Sequence, residues 1–177
     1  FDVGAIKADF PILNKPINDR PLVYLDSAST SQKPVQVLDA MRDFYESSNA
    51  NVHRGAYFLS DKASRAMEGA RKKVARFIGA TDSDEVIFTK NATEGLNLIA
   101  GSWGRSNLHK GDVVVLSLIE HHANIVPWHM LAAERGVELR FIGIGDDGLL
   151  DLSNLDELLE GAKLVAITAM GNVTGAL

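Results

Sequence analysis

The sequence predicts an α/β fold of three layers, α/β/α, built on a mainly parallel sheet. Three observations carry this expectation. Apolar runs of strand length alternate with segments of helical period. Most of the strand runs, 113–119 above all, are continuous rather than alternating, as strands covered on both faces require. Capping and stop residues separate the two kinds of segment. Residues 1–20 read as an N-terminal arm that joins a main domain, residues 21–177, near Pro16 and Pro21. Val37, Leu38, Met41, Phe44 and Tyr45 then share one helical face, and Pro34 lies near the first turn, where a missing N–H costs nothing. Ser60 predicts the cap of a second helix, with Ala63, Ala66, Met67, Ala70, Val74, Phe77 and Ile78 as its buried stripe and Gly79 as its stop. Residues 86–89 read as a strand leading into a helix that opens near Thr93 and turns Leu96, Ile99, Ala100 and Trp103 inward. The plainest strand is 113–119. Asn124 predicts the cap of a helix running to Arg135, with Pro127 in its first turn, and Gly136 stops it before a strand over 137–144. Ser153 and Asp156 resemble a capping box for a short helix carrying Leu155, Leu158 and Leu159, ahead of a last strand over 164–168. Strands joined in this way by helices imply right-handed crossovers.

The chain starts at Phe1 rather than methionine, and its last strand has no helix after it to complete the unit. The expectation is therefore an incomplete domain, the N-terminal part of a longer protein. Composition reads as a soluble globular chain: 177 residues, 46% hydrophobic, 23% charged, net charge −5. Arg71-Lys72-Lys73 is offset by acids elsewhere and reads as a solvated helix face, so no nucleic-acid partner is expected. No apolar run approaches the roughly 20 residues of a membrane span, and the N-terminus lacks a signal-peptide pattern, so a cytoplasmic protein without a membrane partner is expected. The absence of cysteine removes disulfides and thiolate metal sites from these residues.

Two segments carry the candidate chemistry. The strand 113–119 runs into Glu120-His121-His122-Ala123-Asn124, delivering an imidazole pair to the carboxyl edge of the sheet, where α/β folds bind ligands. Residues 86–89 run into Lys90-Asn91-Ala92-Thr93-Glu94-Gly95, whose helix start offers free N–H groups, a favourable dipole and a hydroxyl to a phosphate. Of the histidines, His122 reads as structural and His109 as surface. His121, His122 and His129 have no HExxH spacing and no cysteine beside them, so no metal is expected.

Taken in order, Tyr24-Leu25-Asp26-Ser27-Ala28-Ser29-Thr30-Ser31-Gln32-Lys33-Pro34, Asn51-Val52-His53-Arg54-Gly55, Ala92-Thr93-Glu94-Gly95-Leu96-Asn97, Glu120-His121-His122-Ala123-Asn124-Ile125-Val126-Pro127-Trp128 and Asn172-Val173-Thr174-Gly175 resemble group II, SUF-type, cysteine desulfurases. These are class V aminotransferase-type enzymes that use pyridoxal 5′-phosphate (PLP). The resemblance spans nearly the whole chain, which is under half of a typical member. It implies the PLP-dependent transferase large domain of fold type I, aspartate aminotransferase-like, here incomplete. It also implies that the positions of Ala92 and Thr93 hold the cofactor phosphate. His121 would stack on the pyridine ring and move protons, and Asn172 would hydrogen-bond the phenolic oxygen. Ala28 and His53 match positions near the substrate. The implied reaction takes sulfur from L-cysteine onto an enzyme cysteine as a persulfide and leaves L-alanine. A homodimer with its site near the interface, and a sulfur-acceptor scaffold of iron–sulfur cluster assembly, are the implied partners.

The resemblance also marks what does not match. The family's cofactor-bearing lysine, its pyridinium-pairing aspartate and its persulfide cysteine fall outside these residues. Lys90 and Lys163 do not stand in the family's serine-x-histidine-lysine context. Gly171 occupies a position that is usually serine. Selenocysteine lyase, another class V transaminase or epimerase, and a catalytically silent interaction protein with the same fold remain alternative readings.

Overall fold

The computed structural model describes residues 1–177, which divide into two compact units, Phe1–Ile87 and Phe88–Leu177. In the first, the arm forms α1 (Val3–Ala8), where the Asp2 carboxylate accepts the Ala5 N–H at 3.0 Å, and then a 3-10 turn, Pro11–Asn14. Helix α2 (Val35–Ser47) starts directly after Pro34 and keeps Val37, Leu38, Met41 and Tyr45 of its apolar face exposed. Helix α3 (Phe58–Ile78) ends at Gly79, whose φ of 74° is the left-handed conformation that a residue without a β-carbon adopts freely.

Two expectations about α3 need correction. Ser60 is not its cap: Tyr57 holds that position without a side-chain bond, and Ser60 lies buried inside the first turn. Its hydroxyl instead donates to Asn51 O at 2.7 Å and accepts the Gly55 N–H at 3.1 Å, pinning the 51–55 loop to the helix. Long-range bonds outcompeted the local one. Of the expected stripe only Ala63 is buried, while Phe77 and Ile78 are exposed, because a stripe is covered only where an element packs on it, and a short turn, Ser83–Glu85, is what meets α3.

Residues 86–89 are extended but form no strand. An extended segment becomes a strand only when a neighbour takes its N–H and C=O groups, and this one is absent from the sheet's ordered strands.

The second unit carries that sheet. Helix α4 (Ala92–Ile99) passes through a π-helical turn, Ala100–Gly104, into a last helical turn α5 (Arg105–Asn107). Strand β1 (Val113–Ser117) follows, then α6 (Val126–Arg135), β2 (Glu138–Ile144), the two-residue β3 (Leu150–Asp151), α7 (Leu155–Leu159) and β4 (Ala162–Val165). The strand order is β3-β2-β1-β4. Strand β1 pairs in parallel with both β2 and β4, and β3 adds an antiparallel edge. The mainly parallel expectation holds, with β3 as the addition.

Every residue of β1 is buried, as a central parallel strand with two covered faces must be. On one face Val114 and Leu116 pack with Leu108, Trp128, Leu131 and Val137; on the other Val113, Val115 and Ile142 meet Leu155 and Leu158 of α7. Helices therefore cover both faces, which makes the three layers. Gly136 ends α6 at φ 73°.

Two more caps differ from expectation. Asn124 is not the cap of α6, since Ile125 stands there in a helical conformation and the Asn124 side chain bonds elsewhere. Asn154, not Ser153, precedes α7 and makes no side-chain cap. Ser153 gives its N–H to Asp151 Oδ1 at 2.9 Å. Its hydroxyl and then its N–H hold the Asp151 carboxyl below the usual carboxylate range.

Candidate active site

The carboxyl end of β1 builds the centre of the site. Beyond Ser117 the Leu118 N–H still donates to Ile142 O at 3.0 Å, after which the chain turns at Leu118 and Ile119 and leads through Glu120 into the 3-10 segment His122–Asn124. Glu120 is buried, and its carboxylate accepts from three groups: the Ser117 hydroxyl at 2.6 Å, the Asn124 amide at 2.8 Å and the Thr168 N–H at 2.7 Å. Asn124 also donates to Ala166 O at 3.0 Å and accepts the Trp128 indole N–H at 3.0 Å. Sequence reasoning missed this cluster. The signal was present in an acid closing a run that is apolar but for Ser117, because a carboxylate in such a place has to find donors.

His121 stands exposed at the start of the turn, and its Nδ1 accepts the Ala123 N–H at 3.1 Å. An accepting Nδ1 carries no proton, so the ring proton sits on Nε2. His122 lies edge-on to it, ring centroids 6.2 Å apart, and is likewise exposed.

At the start of α4, Asn91 is the cap, accepting the Glu94 N–H at 2.9 Å, while Glu94 Oε2 reaches back to the Lys90 N–H at 2.6 Å. Those bonds occupy the third helical amide and the one before the cap, and no acceptor of the chain meets the N–H groups of Ala92 and Thr93. Both residues are exposed. Two free amides at a positive helix end, with a threonine hydroxyl beside them, are a donor set suited to a phosphate. Helix α4 packs against the His122–Asn124 turn, which brings this helix and the imidazole pair into one neighbourhood.

Asn172 lies in the loop after β4. The loop is closed by the Gly171 N–H on Ala176 O and by the Gly175 N–H on Gly171 O, each 2.8 Å. A cleft of about 260 Å³ separates it from residues 118–120 and Ile144, at the carboxyl edge of the parallel strands. A β-carbon on Gly171 would sit 3.2 Å from Thr174 Oγ1 and 3.4 Å from Ile119 Cδ1, so a serine there asks its neighbours to give way.

Ala92, Thr93, His121 and Asn172 thus all belong to the second unit, whereas Ala28 and His53 belong to the first. Ala28 is exposed in a turn closed by the Ser29 and Thr30 N–H groups on Asp26 O. His53 holds φ 63°, unusual for a residue with a β-carbon, and gives its N–H to Ser64 Oγ at 2.9 Å. Its Nε2 lies 3.2 Å from Glu68 Oε1.

Comparison with known proteins identifies the family. Residues 23–177 match the aminotransferase class-V family. A cysteine desulfurase of Escherichia coli O1:K1 is 49% identical over 176 residues, 99% of this chain and 43% of that protein. Among solved structures, the apo cysteine desulfurase of Thermococcus onnurineus NA1 superposes with a TM-score of 0.86 at 40% identity, over 96% of this chain and 40% of that one. An Escherichia coli cysteine desulfurase gives 0.82 at 36% identity, over 99% and 43%. The chain spans under half the length of the relatives it matches. With the family match running from the strand-bearing unit back through α3 and α2, the chain belongs to the aminotransferase class-V family.

Proposed function

We propose that the whole protein is a PLP-dependent cysteine desulfurase, which takes sulfur from L-cysteine, leaves L-alanine and passes the sulfur through an enzyme thiol to an acceptor protein of iron–sulfur cluster assembly. One observation carries the reading. A chain 49% identical to a cysteine desulfurase keeps, in one unit, two unpartnered helix-end amides and an exposed imidazole of defined tautomer. The donor set fits the cofactor: the N–H groups of Ala92 and Thr93 and the Thr93 hydroxyl can donate to phosphate oxygens at the positive end of the helix.

When bound, the cofactor supplies an electron sink for bond cleavage at the amino acid substrate. The chain's residues do the rest. Thr93 and Ala92 anchor the phosphate. His121 offers its ring face to the pyridine and holds a proton at Nε2; to take a second proton at Nδ1 it has to release the Ala123 N–H. The Asn172 amide serves the phenolic oxygen, and Ala28 and His53 serve the substrate. In the same reading the protein is a homodimer and works in the cytoplasm.

The test is direct. The purified whole protein, given PLP, L-cysteine and a thiol reductant, is expected to form L-alanine and sulfide in equal amounts. Formation of pyruvate and ammonia, or no turnover, overturns the reading.

A further inference from the structure

Glu120 is the one carboxylate of the second unit that is buried at the cleft, and the three groups that bond it are neutral donors. As a stability device this is poor chemistry. Taking a carboxylate out of water without a cation is costly, and apolar residues of similar volume would fill the space at less expense. Its position is more informative than its energy. Oε1 receives the Ser117 hydroxyl at the end of β1 and the Thr168 N–H beyond β4; Oε2 receives Asn124, which caps nothing but reaches Ala166 O and the Trp128 indole. Thr168 in turn closes on Met170, with its hydroxyl donating to Met170 O at 2.9 Å, directly ahead of Gly171 and Asn172. One side chain thus joins the turn that presents His121 to the strand end that presents Asn172.

We propose that Glu120 is a positioning residue, whose carboxylate locks the His121 turn and the Gly171–Asn172 loop into a single frame across the mouth of the cleft. The proposal rests on the reading of His121 and Asn172 as cofactor contacts. The chemistry requires glutamate in particular. Every group aimed at the side chain is a donor, so both of its oxygens must accept. Asn124 cannot turn its amide over to suit a glutamine, because its oxygen is held by the indole N–H and its nitrogen by Ala166 O. In Glu120→Gln one N–H therefore faces another, and the link to the His121 turn is the one lost.

The experiment uses the whole protein with PLP. Glu120→Gln is expected to lower kcat about tenfold or more, to leave KM for cysteine within about twofold, and to move the absorbance maximum of the bound cofactor in the direction that Asn172→Ala moves it. Its affinity for PLP stays within about threefold of the parent, since the Thr93 anchor is untouched. A parent-like kcat and spectrum overturn the proposal, and so does a loss of activity with an unmoved spectrum, which is what mere destabilisation gives.

Native-state hydrogen exchange on the unmodified protein keeps the question decidable if the variant does not fold. The amides of Ala123, Asn124, Thr168 and Gly171 are expected to open together, at rates within about threefold once corrected for intrinsic exchange. Opening of the two segments at rates more than about tenfold apart overturns the single frame. Should His121→Ala and Asn172→Ala both leave the cofactor spectrum unchanged, the cofactor assignment fails and the proposed role fails with it, whereas the exchange result alone reports whether the two segments are joined.

Discussion

Two neighbouring imidazoles, both exposed, differ in what holds them. His121 is fixed by the Ala123 N–H on its Nδ1, while His122 meets only its neighbour's ring edge. In the proposed role His121 moves protons and has to keep its orientation, so His121→Ala in the whole protein is expected to lower the proposed desulfurase turnover by about 10²–10⁴-fold with PLP still bound. His122→Ala is expected to stay near the parent. Equal rates in both variants, measured as alanine released, would refute the assignment. Thr93 poses the complementary question about binding. Thr93→Val keeps its shape and removes the hydroxyl, and a hydrogen bond to a charged group is worth about 1.5–3 kcal/mol. The dissociation constant for PLP should therefore rise about 10- to 150-fold, and a titration showing no change would remove Thr93 from the phosphate anchor. The residue that binds this scale to the next is Glu120, whose three donors come from the end of β1, the 3-10 turn and the segment beyond β4.

Strand β1 is the element on which the site depends. Its five residues are buried, and its end leads into Glu120 at the cleft and His121 beside it in the chain, so a loss of packing beneath the strand shifts both. Leu116 is 0% exposed and packs with the cluster around Trp128 and Leu131. Leu116→Ala leaves a cavity there, and the expected cost is about 2–5 kcal/mol, read as a drop in the chemical denaturation midpoint. A loss under about 1 kcal/mol would mean that β1 is not the tightly packed centre described. Helix starts tell the opposite story about local rules. Ser60, Asn124 and Ser153 all have the residue type of a cap, and none of them caps. Ser60 and Asn124, both buried, are spent instead on carbonyl groups of other segments, which repay a hydroxyl or amide that water no longer reaches.

The 177 residues contain no cysteine. Sulfur leaving a substrate needs a thiolate to receive it, so a chain of these residues alone is expected to release no alanine from L-cysteine, measured by amino acid analysis. Alanine formed at the rate of the whole protein would mean that another acceptor acts. At this scale the sequence by itself determined a good deal: the alternation of apolar runs with helical stripes dictated parallel strands under helices, because continuous apolar runs have to be covered on both faces. Gly79 and Gly136 dictated where α3 and α6 stop, because the left-handed residue after a helix favours the absence of a β-carbon. The placement of His121 at a strand end and of Thr93 in the first turn of a helix was legible for the same reason, since each follows from local period.

Tertiary structure alone decided the rest. Residues 86–89 have the composition of a strand yet join no ladder, because pairing depends on a neighbour that periodicity does not reveal. Asn91 caps α4 through the Glu94 N–H, and that bond passes over the Ala92 and Thr93 amides and leaves them without partners. Ala166 and Thr168 lie 42 and 48 residues from the groups they bond. A link of that span is invisible to any local pattern, and the buried carboxylate between them is a site feature that only the folded sheet brings into being.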